Sequence, residues 1–229
     1  MSKKQKYVLI GMGAFGIEIA RTLLAHNEDI LVMDKNENTI NKLKKEGFDF
    51  AVQLNATDEG TLSRFINPED IVILAMGESF EDNILIVGIL KEMGIKKIYA
   101  RATTEIQMKI LDRLGITETL FPEKQEGKRL ALRLLFDDFK FIDEFTKDIF
   151  IGEIDVPETF CDKTIIEIDL RKNYKINAIG IKHKITEKDG KITEQLIQIG
   201  FEAIKLNKSH SLIVVGLEKN IRNLIESTE

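Results

Sequence analysis

The residues best suited to chemistry in this chain lie near its start: Gly11-Met12-Gly13-Ala14-Phe15-Gly16, and Asp34 eighteen positions beyond the last glycine. The glycine run stands directly after the apolar stretch Tyr7–Ile10 and directly before a segment of helical period, where Phe15, Ile19 and Leu23 fall at i, i+4 and i+8. In that setting each glycine has a physical role. Gly11 allows a tight turn, Gly13 lets a pyrophosphate approach the backbone with no Cβ in the way, and Gly16 lets helix and strand pack closely. The start of the helix offers free N–H groups and a positive dipole end to a phosphate. Asp34 stands at the interval from which an acid accepts hydrogen bonds from adenosine ribose hydroxyls, and its charge repels a 2′-phosphate. The pattern predicts an adenine nucleotide, with NAD, ATP, ADP or AMP favoured over NADP.

Two further segments, Asn55-Ala56-Thr57-Asp58 and Ala75-Met76-Gly77-Glu78, follow strand-like runs. They belong at the carboxyl edge of a sheet, where they are candidate walls for the adenine. For Asn55 and Thr57 an equal alternative is a cap on the helix that carries Leu62 and Phe65, and Gly77 also suits a plain turn. A dehydrogenase would need a proton donor near the nicotinamide. The histidines offer little: His26 suits a helix C-terminal cap, His183 a strand end and His210 a polar turn, each reading as a satisfied surface histidine. No Ser-His-Asp, HExxH or CxxC pattern occurs. The chain reads as a binding protein, with a small NAD-dependent oxidoreductase as the alternative.

The elements that must position these residues follow from the apolar pattern. Strands are predicted over Tyr7–Ile10, Ile30–Met33, Phe50–Gln53, Ile71–Ala75, Lys97–Ala100 and Thr119–Phe121, separated by helical stripes such as Ile106, Ile110 and Leu114. Strands alternating with helices build a parallel, doubly wound sheet of Rossmann type. A helical pattern from Glu123 to Phe139 extends beyond it, and the boundary falls near Phe141 to Lys147, giving domains 1–143 and 144–229. The second, smaller domain is α+β: strands over Phe150–Val156, Ile176–His183 and Leu212–Gly216, helices over Thr164–Asn173 and Glu218–Glu226, and a hairpin turn at Lys188–Lys191.

Composition narrows the partners. A net charge of -5 with no basic cluster argues against nucleic acid. One cysteine, Cys161, forms neither an internal disulfide nor a thiolate cluster. The longest apolar runs, Ile71–Met76 and Ile84–Leu90, are far shorter than the roughly 20 residues of a membrane span, and the polar start of the chain has no signal-peptide core. A cytoplasmic protein is expected, with any membrane association made through a partner.

The segments YVLIGMGAFG, LVMDKNE, NATDEGTL, ILAMGE, YARATTEIQMKIL, LGITETLFPEKQEGKRLA and IIEIDLRKNYKINAIGIKH together resemble the regulatory subunits of bacterial Trk/Ktr potassium uptake systems: an RCK (KTN, TrkA-N) domain followed by an RCK-C (TrkA-C) domain. The resemblance implies a cytosolic protein peripheral to the inner face of the membrane, dimeric and assembled as an octameric ring beneath a membrane potassium channel subunit. ATP and ADP would favour different ring shapes and so gate the pore. On this analogy Gly11, Gly13, Ala14, Phe15 and Gly16 hold phosphate, Asp34 with Lys35 beside it holds ribose, Asn55, Ala56 and Thr57 line the adenine side with Met76, Gly77 and Glu78, and Arg101 approaches phosphate or a neighbouring subunit. Many family members carry an arginine where this chain has Ala14, which weakens ATP/ADP discrimination and gives NAD(H) more weight.

Glu123 matches a family glutamate that helps bind a divalent cation (Mg or Ca) beside the phosphates, although a carboxylate favoured by the helix dipole is an equal reading. In the second domain, Ile165, Ile166, Asp169, Leu170, Arg171, Tyr174 and Asn177, with His183 assisting, match positions where some relatives take up cyclic di-AMP between subunits. The same pattern also suits a helix packing on a strand. An orphan sensor subunit of a cation exporter fits these residues equally well.

Overall fold

The computed structural model describes residues 5–77, 79–135, 139–146, 148–186 and 192–228. Contacts divide the chain into two units, Met1–Lys124 and Gln125–Glu229. In the first, β1 (Tyr7–Ile10), β2 (Ile30–Asp34), β3 (Ala51–Gln53), β4 (Ile71–Leu74), β5 (Lys97–Arg101) and β6 (Glu118–Leu120) form a parallel sheet in the order β3-β2-β1-β4-β5-β6. Between them run α1 (Ala14–Ala25), α2 (Glu37–Lys45), α3 (Glu59–Leu62), α4 (Phe80–Glu92) and α5 (Glu105–Arg113).

The central strands β1 and β4, and β2 as far as Met33, are apolar because both faces of the sheet are covered there. Val8, Ile10, Leu31, Met33, Val72 and Leu74 meet Ile86, Leu90 and Leu111 of α4 and α5 on one face. The residues between them, Leu9, Val32 and Ile73, meet Ala20, Ile40 and Leu43 of α1 and α2 on the other. This is the doubly wound order expected, and it reverses direction between β1 and β4. The carboxyl ends of those two strands therefore border the crevice where such sheets take ligands.

Four of these helices begin on a side-chain cap. Asn36, Asp58, Ser79 and Thr104 accept first-turn N–H groups of α2, α3, α4 and α5 respectively. The cap on α3 is thus Asp58, and the capping alternative for Asn55 and Thr57 falls. α3 also ends before Phe65, and Asn55 Oδ1 instead accepts from the Thr57 backbone N–H (3.2 Å) and hydroxyl (2.9 Å).

The division between the units lies within α6 (Pro122–Leu135). Beyond it, β7 (Phe139–Thr146), β8 (Ile149–Asp155), β9 (Asn177–Thr186), β10 (Ile192–Ile197) and β11 (His210–Leu217) form an antiparallel sheet in the order β10-β9-β11-β8-β7. α7 (Ile165–Ile168), α8 (Leu170–Tyr174) and α9 (Glu218–Glu226) complete this unit. Phe150, Ile154, Leu212 and Val214 pack with Ile221 and Leu224 of α9. Gly152 is glycine because a Cβ there would collide with the Phe139 ring.

Several expectations are corrected. A boundary at residue 143 would cut through β7, which pairs with β8 and so belongs to the second sheet. The helix expected to reach Phe139 does not, since α6 is described over Pro122–Leu135 and Phe139 opens β7. The helix expected over Thr164–Asn173 is broken at Asp169, whose φ of 47° is left-handed and whose carboxylate caps α8 by accepting the Lys172 N–H (3.2 Å). β7 and β10 are strands beyond those expected. His210 closes the polar turn that begins at Asn207, its N–H donating to the Asn207 carbonyl (3.0 Å) and its Nδ1 accepting the Asn207 N–H (3.3 Å), but it is also the first residue of β11 and, at 5% exposed, not a surface histidine. The expected hairpin turn at Lys188–Lys191 lies outside the described residues.

Candidate functional site

A cleft of about 460 Å³ opens at the carboxyl ends of β1, β2, β3, β4 and β5. The sequence around β1 builds its floor. Gly11 has φ 90°, and a Cβ there would collide with Met76. At Gly16 a Cβ would strike the Gly11 carbonyl and lie 3.1 Å from Ala75, so this glycine sets the close approach of α1 to the sheet. Gly13 has nothing within 4 Å of where its Cβ would stand, which leaves room for a ligand against the backbone. Gly13 is also the N-cap of α1, with no side-chain cap hydrogen bond. Alone among α1 to α5, this helix begins with no side-chain N-cap, and its N-terminus borders the cleft.

Asp34 closes the far side of the loop. Its Oδ2 accepts the Met12 backbone N–H at 2.6 Å and its Oδ1 accepts the Asn36 N–H at 2.8 Å. These bonds hold the carboxylate rigidly at the cleft rim, with lone pairs left for a diol. Lys35, Asn55, Ala56, Thr57, Met76, Gly77 and Arg101 share the same lining, so ten of the expected residues, with Gly11, Gly13 and Asp34, meet at one place. Ala14 and Phe15 open α1 behind the loop, and Gly16 packs beneath it. Glu78 lies outside the described residues.

Sequence reasoning missed part of the wall. Thr39, Ser79, Asp82, Ile86 and Thr103 also line the cleft. Asn83 lies under the wall, 2% exposed, and its amide donates to the carbonyls of Met76 (3.3 Å) and Arg101 (3.4 Å), tying the end of β4 to the end of β5. Its Oδ1 has no hydrogen-bond partner. An asparagine four positions into a helix after a strand carries no motif, so only the fold exposes its role.

Arg101 and Glu123 form an ion pair at the rim. The guanidinium carbon lies 5.5 Å from the Phe15 ring centroid. Partial burial pushes the Glu123 carboxyl up, but its own backbone N–H and the Arg101 guanidinium pull it further down, to a net position below the usual range. No cluster of three or more His, Cys, Asp or Glu side chains able to hold a metal occurs among the described residues.

In the second unit an open depression of about 470 Å³ is lined by Ile165, Ile166, Asp169, Leu170 and Arg171, with Glu202 facing them. Tyr174, Asn177 and His183 are not part of it. Tyr174 packs edge-on against Phe160 at 5.8 Å, Asn177 pairs with Val215 in the sheet, and His183 stands edge-on to His210 at 4.8 Å. Burial, and then the neighbouring His183, pushes the His210 imidazole below its ordinary value.

Among the described residues no helix is long and apolar enough to cross a membrane. A family profile, the TrkA-N domain, matches residues 7–122, about half of the chain. Ktr system potassium uptake protein C of Bacillus subtilis is 29% identical over 180 residues, covering 78% of this chain and 81% of that one. Among solved structures, the GsuK RCK domain superposes with a TM-score of 0.63 at 18% identity, covering 99% of this chain, which spans 48% of that protein's length. A structure described as the GsuK channel bound to NAD gives a TM-score of 0.60 at 18% identity, covering 96% of this chain and 38% of that one.

Proposed function

The chain belongs to the TrkA-N domain family, and from that membership we propose that it is a cytosolic regulatory subunit that couples adenine-nucleotide binding to the gating of a membrane potassium channel. The observation that carries this reading is the uncapped N-terminus of α1, facing a cleft whose rim holds the Asp34 carboxylate. A phosphate chain on the α1 N–H groups and a ribose diol on Asp34 use both features at once. The potassium-uptake relative supports the transport side of the reading.

In this reading ATP or ADP is the effector, NAD(H) is a competing ligand, and Glu123 with phosphate oxygens holds a divalent cation. Homodimers assemble into an octameric ring, and cyclic di-AMP meets the second unit at the depression lined by Ile165, Ile166 and Arg171. No bond in the nucleotide need break. Work on the pore comes from the difference in affinity between two ring shapes, which bounds how far the gate can be biased.

The test is calorimetric titration of nucleotide-stripped protein with ATP, ADP, NADH and cyclic di-AMP, with molecular mass measured by light scattering in each case. Micromolar or tighter ATP or ADP binding to a dimer or ring is expected. Binding of NADH alone, with turnover of a carbonyl substrate, would overturn the gating role in favour of an oxidoreductase. Asp34→Ala is expected to weaken ADP binding about tenfold or more with the fold retained by circular dichroism, and unchanged affinity would remove the ribose assignment.

A further inference from the structure

Arg101 leaves the carboxyl end of β5 and lines the cleft together with Gly11 and Gly13. Its guanidinium lies against Phe15 of the glycine loop. Gly77 makes space for it: a Cβ at that position would stand 3.3 Å from both the guanidinium carbon and Nη1. The other lysine or arginine in the described lining is Lys35, which follows Asp34 at the end of β2. With alanine at position 14, the glycine loop itself carries no positive charge. Arg101 is thus the cation that accompanies the loop's N–H donors.

That cation is already engaged. Nη2 pairs with the Glu123 carboxylate, whereas the buried Nε has no hydrogen-bond partner. Arg101 is 20% exposed and Glu123 50% exposed, so the acid is the member free to swing into water. A guanidinium held by one acid keeps donors unsatisfied, and a phosphate offers it more acceptor oxygens and more negative charge than a single carboxylate does.

We propose that Arg101 selects ligands by phosphate charge through an exchange in which nucleotide phosphate displaces the Glu123 carboxylate from its guanidinium. With no divalent cation present, Glu123 is then an internal competitor for the phosphate subsite. A ligand with one or no phosphate group recovers less of the broken ion pair than a diphosphate does, so the pair raises the charge threshold for binding. No covalent step is involved; one salt link is traded for another. This inference rests on the nucleotide reading of the same cleft.

The experiment is calorimetry on the full chain in EDTA and low salt, with adenosine, AMP and ADP as probes, for the parent protein, Glu123→Gln, Arg101→Gln and the double variant. Glu123→Gln is expected to bind ADP about two- to fivefold tighter, the range of a partly exposed ion pair, with adenosine unchanged. Arg101→Gln is expected to lose about tenfold or more for ADP and to abolish the gain from Glu123→Gln. Thermal melts check folding, and Glu123→Ala repeats the test without an amide in that place. Unchanged or weaker ADP binding in both Glu123 variants overturns the exchange, as does a gain that persists without Arg101. If the parent protein binds none of the probes, adenosine included, the nucleotide reading fails and the exchange falls with it.

Discussion

A buried network in the second unit and the cleft of the first treat buried polar groups in opposite ways. In the second, Glu153 is 4% exposed yet fully engaged: Lys182 reaches Oε2 at 2.7 Å, while Ser211 (2.6 Å) and Lys140 (3.2 Å) serve Oε1. Burial pushes this carboxyl up, but hydrogen bonds from Lys182, Ser211 and Lys140 outweigh it and hold it at about 2. In the first unit, Asn83 Oδ1 and Arg101 Nε are buried without partners, and α1 starts without a side-chain cap. Among the described residues, these two unpartnered buried side-chain atoms both lie at or beneath the wall of one cleft. A closed network stabilises a fold, whereas an open one costs free energy until something completes it. The contrast separates framework from site.

The sharpest way to break that contrast is to close the open end. Gly13→Asp places a carboxylate where the phosphate is expected, at a position with extended backbone and open space for a side chain. Binding of ADP is expected to fall more than about a hundredfold (~3 kcal/mol), while stability rises by a few tenths of a kcal/mol through the new cap. Calorimetry and urea unfolding read the two effects, and retained binding would mean the phosphate sits elsewhere.

Opening the closed network should do the reverse. Glu153→Gln leaves Lys140 without its counter-charge and Lys182 with only the more exposed Glu194 (3.1 Å), and is expected to lower stability by about 3 kcal/mol at neutral pH with ADP affinity unchanged. Because the Glu153 carboxyl is depressed in the folded state, its contribution is present above the ordinary glutamate range and is lost as pH falls from about 4.5 to about 2. The parent protein should therefore weaken across that window by on the order of 3 kcal/mol more than Glu153→Gln. Parallel curves would show that the network stores no such energy. The smallest effect belongs to a cap that is not part of the cleft lining: Thr104→Ala removes the side-chain acceptor of α5 and should cost about 1 kcal/mol in urea unfolding.

The first unit was more legible in sequence than the second. Three glycines in the loop each answer a separate backbone demand, and β1, β4 and β2 as far as Met33 are apolar because both faces are covered, so position and pattern point to the same elements. In the second unit the pattern is broken by the structure itself. β7 shifts register twice, between Phe141 and Asp143 and between Glu144 and Thr146, which interrupts the alternation that marks a strand. β10 is an edge strand with Thr193, Glu194 and Gln195 in its middle, so it reads as a polar loop. His210 is polar between Ser209 and Ser211, and it is buried by pairing with β9, a long-range event invisible in its neighbours. At the cleft, Asp34 and the loop announced themselves through spacing, whereas Asn83 and the Arg101–Glu123 pair join strand and helix ends that only the folded sheet brings together.

The most direct measurement is a crystal structure of the full chain grown with ADP. The diphosphate should lie on the N–H groups of Gly13 to Phe15, with the ribose hydroxyls on Asp34 and the adenine beside Asn55 to Thr57. ADP seated away from the α1 N-terminus, or a cleft that stays empty at saturating ADP while the nucleotide binds in solution, would contradict the assignment of this cleft as the nucleotide site.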